Sequence, residues 1–405
     1  MHFNRPHLIV ASLIFLTFFS VASASDWPKW LGPAGDNKAP EDPNFDPDLS
    51  KWNIAWKLNV GLGYSSIAVV GDRAYTMGHD SKSKETVYCL NANDGKPIWS
   101  YSYDAQLMPS LHIGGPNATP TIIGDKVITL SKDGQVICFK ADKGEIVWKA
   151  NILEIFAIKL PRWGFASSPF VDGNTVVFCG GKTCALALDT GKVVWTSATA
   201  YIPAGYAGAP VFVLDGKKFV ASLDGKGLSI LSATDGKEIV RHPFPALFDM
   251  NATTPVILDN GKRIFISCTV KSEMLGFDGT KLTSLWTTKE MRNLMNNSVF
   301  QDGMIYGISG EQQQTTNSLV SLKESDGSEN WAQQSIGYAM TIGIGKTLLI
   351  LTERGELITA KIDPAKYTEI SRRKLLEPIC WTTPTYANGK IYLRNEKGDV
   401  VVLGR

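Results

Sequence analysis

Rings and amides recur at one point of this chain, in the segment that precedes each of a series of short apolar runs. They are Tyr64; His112 and Asn117; Arg162, Trp163 and Phe165; Tyr206; Asn251; Asn296 and Asn297; Tyr338; and Trp381. Flat rings beside a guanidinium and several amides suit a planar, anionic ligand, held by stacking and hydrogen bonds. Arg162, Trp163, Asn251, Asn297 and Trp381 form the candidate cofactor-binding set. The alternative is that rings of this size only fill space.

Other chemistry finds little support. Beyond the N-terminal leader the histidines are His79, His112 and His242, no two close in sequence, and there is no Cys-x-x-Cys pair, so no metal site is expected. Asp-Gly pairs such as Asp133-Gly134 lack the repeated acidic ligands of a calcium loop and read as turns. Gly345-Lys346-Thr347 and Gly181-Lys182-Thr183 resemble the end of a phosphate loop. The glycine required five residues earlier is Met340 in one and Val176 in the other. No Gly-x-Ser-x-Gly elbow is present, and no catalytic residue is assigned. Cys179 and Cys184 flank a hairpin tip, Gly180 to Thr183, where a cross-hairpin disulfide is geometrically plausible. Cys89 and Cys138 occupy one repeat position and read as buried thiols.

The elements that must position these groups form a repeat. Its plainest copy runs Ser167-Ser168-Pro169, Val171-Asp172-Gly173, Val176-Val177-Phe178, Ala185-Leu186-Ala187-Leu188, Asp189-Thr190-Gly191-Lys192 and Val193-Val194-Trp195. That is strand, turn, strand, turn, strand, turn, strand. Copies begin near Ile67, Pro120, Pro169, Pro210, Pro255, Val299, Thr341 and Pro384, 41 to 53 residues apart. Short strands at that period predict an all-β, eight-bladed β-propeller of four-stranded antiparallel blades. Trp99, Trp148, Trp195 and Trp331 each follow a turn glycine by four residues, and are expected to dock between blades. Trp286 follows its glycine by seven, and the fourth copy has Val240 instead. The last copy ends at Arg405 without a fourth strand, while Asn53 to Leu58 carries Trp56 with no blade before it. The N-terminal strand is therefore expected to pair with the C-terminal blade and close the ring, which removes sheet edges. The one short helix is expected within 152–159. In such a ring the ring-and-amide segments converge at one mouth of the central channel.

Residues 1–24 read as a signal peptide, with Arg5, an apolar run from Leu8 to Val21 and the small residues Ala22-Ser23-Ala24. No cysteine stands at that junction, so a periplasmic or secreted product without a lipid anchor is expected. Residues 25–52, rich in Pro, Gly and Asp, read as an extended arm lying over the propeller of 53–405. The whole chain carries 41 basic and 39 acidic residues, a balance with no electrostatic footprint for nucleic acid. No transmembrane segment is expected, and a monomer is.

The run Leu186-Ala187-Leu188-Asp189-Thr190-Gly191-Lys192-Val193-Val194-Trp195 resembles the tryptophan-docking repeat of pyrroloquinoline-quinone (PQQ) propellers, the quinoprotein-type family. The resemblance spans about residues 53–405. Asp26-Trp27-Pro28-Lys29-Trp30-Leu31-Gly32-Pro33 is similar to the opening of BamB-like exported propellers of planctomycete-type bacteria. Two functions are implied. One is a non-catalytic scaffold with a protein or peptide partner on a propeller face, as in outer-membrane assembly. The other is a small oxidoreductase of alcohols or sugars with PQQ and Ca2+ in the channel mouth. Carbohydrate binding is a third. Quinoprotein dehydrogenases carry adjacent cysteines and acidic calcium ligands, whereas this chain has no adjacent cysteines and only Asp249 and Glu377 near the mouth segments.

Overall fold

Each repeat folds as expected because its apolar runs alternate with turns that reverse the chain every five to eight residues. The computed structural model describes residues 25–110, 112–314 and 316–405; the expected signal peptide, 1–24, lies outside the described residues. Eight sheets form around a ring, each with four antiparallel strands, consecutive in all but the last blade and joined in the seventh by a short parallel strand from the N-terminal arm, and they make an eight-bladed propeller. The innermost strands begin with Ala68–Val70 in blade one and end with Thr385–Ala387 in blade eight. Blade eight takes its outer strand, Asn53–Asn59, from the other end of the chain, and Trp56 stands opposite Val402. The ring closes as the unpaired strand implied. The short helix is Ile152–Phe156, capped by Asn151 and stopped by Ala157 in the left-handed region at φ 52°.

The tryptophans dock from one blade onto the next. Trp148 donates its indole N–H to Leu188 O (2.8 Å), and Trp99, Trp195 and Trp286 make the equivalent bond to Ala141, Ala233 and Glu324. Trp56 does the same to Ala92 across the closure. Each bond ends three residues before the turn glycine of the next blade, so one indole is held by its polar tip and its ring face together. Between blades four and five, where Val240 replaces the tryptophan, Phe212, Phe219 and Phe277 pack edge to face instead, with centroids 5.1 and 6.0 Å apart for the two T-shaped pairs. Arg394, fully buried in blade eight, stitches the closure by donating to Ser65 O, Met77 O, Gly61 O and Thr76 Oγ1 of blade one and the segment leading into it.

The arm departs from expectation. It does not lie over the ring but enters it. Trp27 pairs antiparallel with Val69, so the chain climbs the innermost strand of blade one. Pro28 O accepts from Ile122 N in blade two (2.8 Å), and the Trp30 indole reaches Thr254 Oγ1 in blade five (3.1 Å). The arm then turns. Asn37 donates to Asn297 O and Thr341 O, and Lys38–Ala39 pairs parallel with Gly343 and Ile344 as the chain descends blade seven. It leaves past Tyr386 and Trp52 to the outer strand of blade eight. The physical reason is that Trp27, Leu31, Leu49 and Trp52 bury nearly all their surface, which an arm laid over polar turns would not do.

The Cys179–Cys184 disulfide does not form. Cys184 stands opposite Phe178 and Cys179 opposite Thr183, which puts the two thiols on opposite faces of the hairpin. Cys179 Sγ bonds instead to Ala207 O (3.0 Å), and all six cysteines are buried free thiols.

Candidate functional site

In a blade the second-to-third turn and the segment leading into the next blade share one face of the ring. That face is the channel mouth. The arm runs along the innermost strands beside it, and its Trp30 helps to line a cavity in the mouth. It has a volume of about 330 Å³.

Its wall is aromatic. Trp30 of the arm contributes to it, with Tyr64, Trp163, Tyr206, Phe248 and Trp381. Tyr64 and Trp381 stack at 5.7 Å with 20° between planes, and His112 meets Tyr64 edge-on at 5.7 Å. Trp163 and Tyr206 meet at 5.4 Å, with the Arg162 guanidinium 5.1 Å above the Trp163 ring. Three of the five candidate residues, Arg162, Trp163 and Trp381, are thus brought together. Asn251 and Asn297 are not: each is buried and outside the wall. Asn251 Nδ2 donates to Asp224 O and Phe244 O, and Asn297 Nδ2 to Thr254 O. Buried loop carbonyls needed donors, and these amides supply them. Residues that sequence reasoning passed over are Trp30, the lip Leu247-Phe248, and Thr269, Glu311 and Gln312 from second-to-third turns. Their positions in the letters carry no distinguishing signal: Leu247-Phe248, for one, sits in a run, Pro243 to Met250, that is apolar apart from Asp249.

The electrostatics are subdued. Burial, with the nearby Lys132 charge, holds His112 down at about 4, so it is neutral at pH 7. Its Nδ1 accepts from Gly114 N–H (3.0 Å), which leaves the proton on Nε2. Behind His112, burial also pulls Lys132 down to about 8 and pushes Glu85 up to about 7. Glu85 accepts from Tyr103 OH (2.8 Å) and lies near Asp133 and Lys132. A carboxyl whose folded pKa is raised adds stability that is fully present below its unfolded value and is lost as pH rises through the folded one. Glu85 is therefore expected to cost about 3 kcal/mol between roughly pH 4.5 and 7. Glu85→Gln, which keeps an acceptor for Tyr103, should flatten this part of the profile and raise stability at pH 7.5, read by urea unfolding across pH. An unchanged slope would contradict it.

The donor set does not fit a calcium-bound quinone. Calcium takes six to eight oxygen ligands, carboxylates prominent among them. The wall offers one carboxylate, Glu311, and among the described residues no three His, Cys, Asp or Glu side chains gather as a metal cluster. No cysteine lines the cavity. Beside the cavity, across the wall of Arg162, Trp163, Tyr206 and Phe248, lies a groove of about 430 Å³ that also takes in Ile158, Leu160 and Ile202. No described helix is long and apolar enough to cross a membrane.

Comparison with known proteins agrees with this architecture. BamB from Moraxella catarrhalis superposes with a TM-score of 0.65 at 15% identity, over 87% of this chain and 100% of that one. Quinohemoprotein alcohol dehydrogenase from Comamonas testosteroni gives 0.69 at 11% identity, over 94% of this chain and 81% of that one. A europium-containing methanol dehydrogenase gives 0.70 at 10% identity, over 94% and 98%. At these identities the likeness is one of fold. A quinoprotein ethanol dehydrogenase of Pseudomonas putida is 28% identical over 110 residues, 25% of this chain and 17% of that enzyme. The sequence profile of the family described as outer membrane protein assembly factor BamB matches residues 51–151 and 83–333. That is more than half of the chain, which therefore belongs to this family of PQQ-like-repeat propellers.

Proposed function

We propose that the chain is an exported, non-catalytic binding scaffold that docks a protein partner on the mouth face, in a cell-envelope role akin to assembly. The observation that carries this is Phe248. It is 82% exposed and held at φ 56°, a region that a bulky side chain enters at a cost of about 1–2 kcal/mol. Ile202, 60% exposed, and Leu247, 49% exposed, flank the same groove and cavity. Large apolar groups left in water beside a groove mark a protein contact, and an aromatic with a neighbouring arginine is the usual centre of one. The groove takes apolar side chains of an extended segment. A role beside other proteins also agrees with the family's description as an assembly factor.

The test is selection of a displayed peptide library on the mature chain. Selected peptides should carry apolar or aromatic anchors. Phe248→Asp and Ile202→Asp should each weaken them about thirtyfold, the effect of one lost anchor side chain. Peptides indifferent to both substitutions would contradict the reading. Calcium-dependent PQQ binding with dye-linked oxidation of an alcohol would overturn its non-catalytic part.

A further inference from the structure

The groove beside the mouth carries charge that its own chain leaves unanswered. Its cations are Lys159 and Arg162, both exposed. Its one acidic side chain, Asp249, is matched by Lys226, whose Nζ stands 3.9 Å away. Among the described residues no carboxylate forms an ion pair with Lys159 or Arg162. Elsewhere the chain answers such groups itself. Arg241 is gripped by both oxygens of Asp224 (2.6 and 2.8 Å), and Arg372 by both oxygens of Glu369 (2.8 and 2.9 Å). With Asp249 neutralised by Lys226, two positive charges remain in the groove of a chain that is nearly balanced overall.

Arg162 is also held ready. Its guanidinium lies 5.1 Å above the Trp163 ring, whose Nε1 is tied to Ser110 O (3.1 Å). A guanidinium over an indole keeps its N–H groups, which point outward in its own plane, open to a bidentate carboxylate. Arg162 and Trp163 belong to the wall that groove and cavity share, so the charge stands at the edge of the apolar bed of Ile158, Leu160 and Ile202. We propose that the groove selects an extended partner segment with an acidic side chain close to its apolar anchors. The anchors lie on Ile158, Leu160, Ile202 and Phe248; the carboxylate pairs with Arg162, and Lys159 adds charge. This specificity presupposes the docking on the mouth face proposed above. It rejects as well as attracts, because a basic side chain at the same place would meet two like charges. An anionic bilayer is the poorer match. Two cations fall short of the clusters, about four to eight Lys or Arg, that bind such surfaces, and a recessed groove withholds its apolar bed from a flat one.

The probes are the peptides selected above, each made again with Asp and Glu replaced by Asn and Gln, and vesicles of phosphatidylglycerol in phosphatidylcholine. The selected peptides should carry an acidic residue near an apolar anchor. By calorimetry on the mature chain, the amide replacement should weaken binding about tenfold, the low end for hydrogen bonds to a charged group. Arg162→Gln should weaken the acidic peptide by a like factor and leave its amide twin unchanged, the coupling of a direct pair. Lys159→Gln should do the same to a smaller degree, and the acidic peptide alone should weaken as salt rises. Both side chains are exposed, so thermal stability should not move. Ile202→Ser removes an anchor and no charge, and should weaken both twins alike. Peptides that lose affinity to Ile202→Ser yet carry no acid, or twins that respond equally to Arg162→Gln, would overturn this proposal and leave docking standing. Peptides indifferent to Ile202→Ser and Phe248→Asp would remove docking and this specificity with it. Binding to the anionic vesicles in place of peptides would overturn it as well.

Discussion

Trp148→Ala is expected to destabilise the protein by about 3–5 kcal/mol, the cost of emptying a large aromatic site. The indole is 7% exposed, donates to Leu188 O, and packs face-on against Gly191 of the next blade. The partner position answers for the same contact. Gly191 has φ +68°, and a Cβ there would stand 2.5 Å from the Trp148 ring. Gly191→Val therefore meets both a left-handed backbone and an indole that must move out. It should cost about as much as the tryptophan deletion. Because both substitutions break one contact, the double variant should cost less than the two added together: deleting the indole removes the clash and leaves only the left-handed backbone cost at 191 to add, whereas independent sites would add in full. Urea unfolding of the four proteins measures the cycle, and full additivity would show that the indole and the glycine do not work as a pair.

Gly398→Ala is expected to cost about 3 kcal/mol or more and to loosen the ring at its closure. Gly398 lies in the second-to-third turn of blade eight at φ +90°, and a Cβ there would fall 2.0 Å from Gly61 O on the segment leading into blade one. That neighbour is backbone, so relief needs the whole segment to shift. Overpacking of this kind costs about 1–3 kcal/mol, with the left-handed conformation adding about 1–2. Gly61 O also accepts from Arg394, and Val60 N donates to Gly398 O, so a shift disturbs the bonds that join the first and last blades. Hydrogen exchange should quicken first in Asn53–Asn59 and Asp399–Gly404, the strands of the closure. Uniform quickening throughout the ring would contradict a local role.

The ring was legible in the sequence because its signals are local. An Asp-Gly turn, a tryptophan four residues on, and an unpaired Trp56 strand at the opposite end from an unfinished blade determine the blade count and the closure. The arm was not legible. Its anchors are Trp30 on Thr254 and Asn37 on Asn297 and Thr341, single polar bonds between residues hundreds of positions apart, with no periodicity to betray them. The mouth was half legible. Arg162, Trp163 and Trp381 line it, yet nothing in the letters says whether an amide faces a channel or caps a loop, and Asn251 and Asn297 do the second. The cysteines show how little suffices to mislead. Shifting the hairpin register by one residue moves a side chain to the other face, and Cys179 and Cys184 differ by that one residue.

On the reading proposed above, the propeller meets its partner on the mouth face. This is tested most directly by a photo-crosslinking amino acid placed in producing cells at Phe248 on the mouth, and at Lys143 and Lys192 in the turns of the opposite face. A discrete protein adduct is expected from position 248 and none from positions 143 and 192. Adducts from the opposite-face turns, with none from position 248, would contradict it.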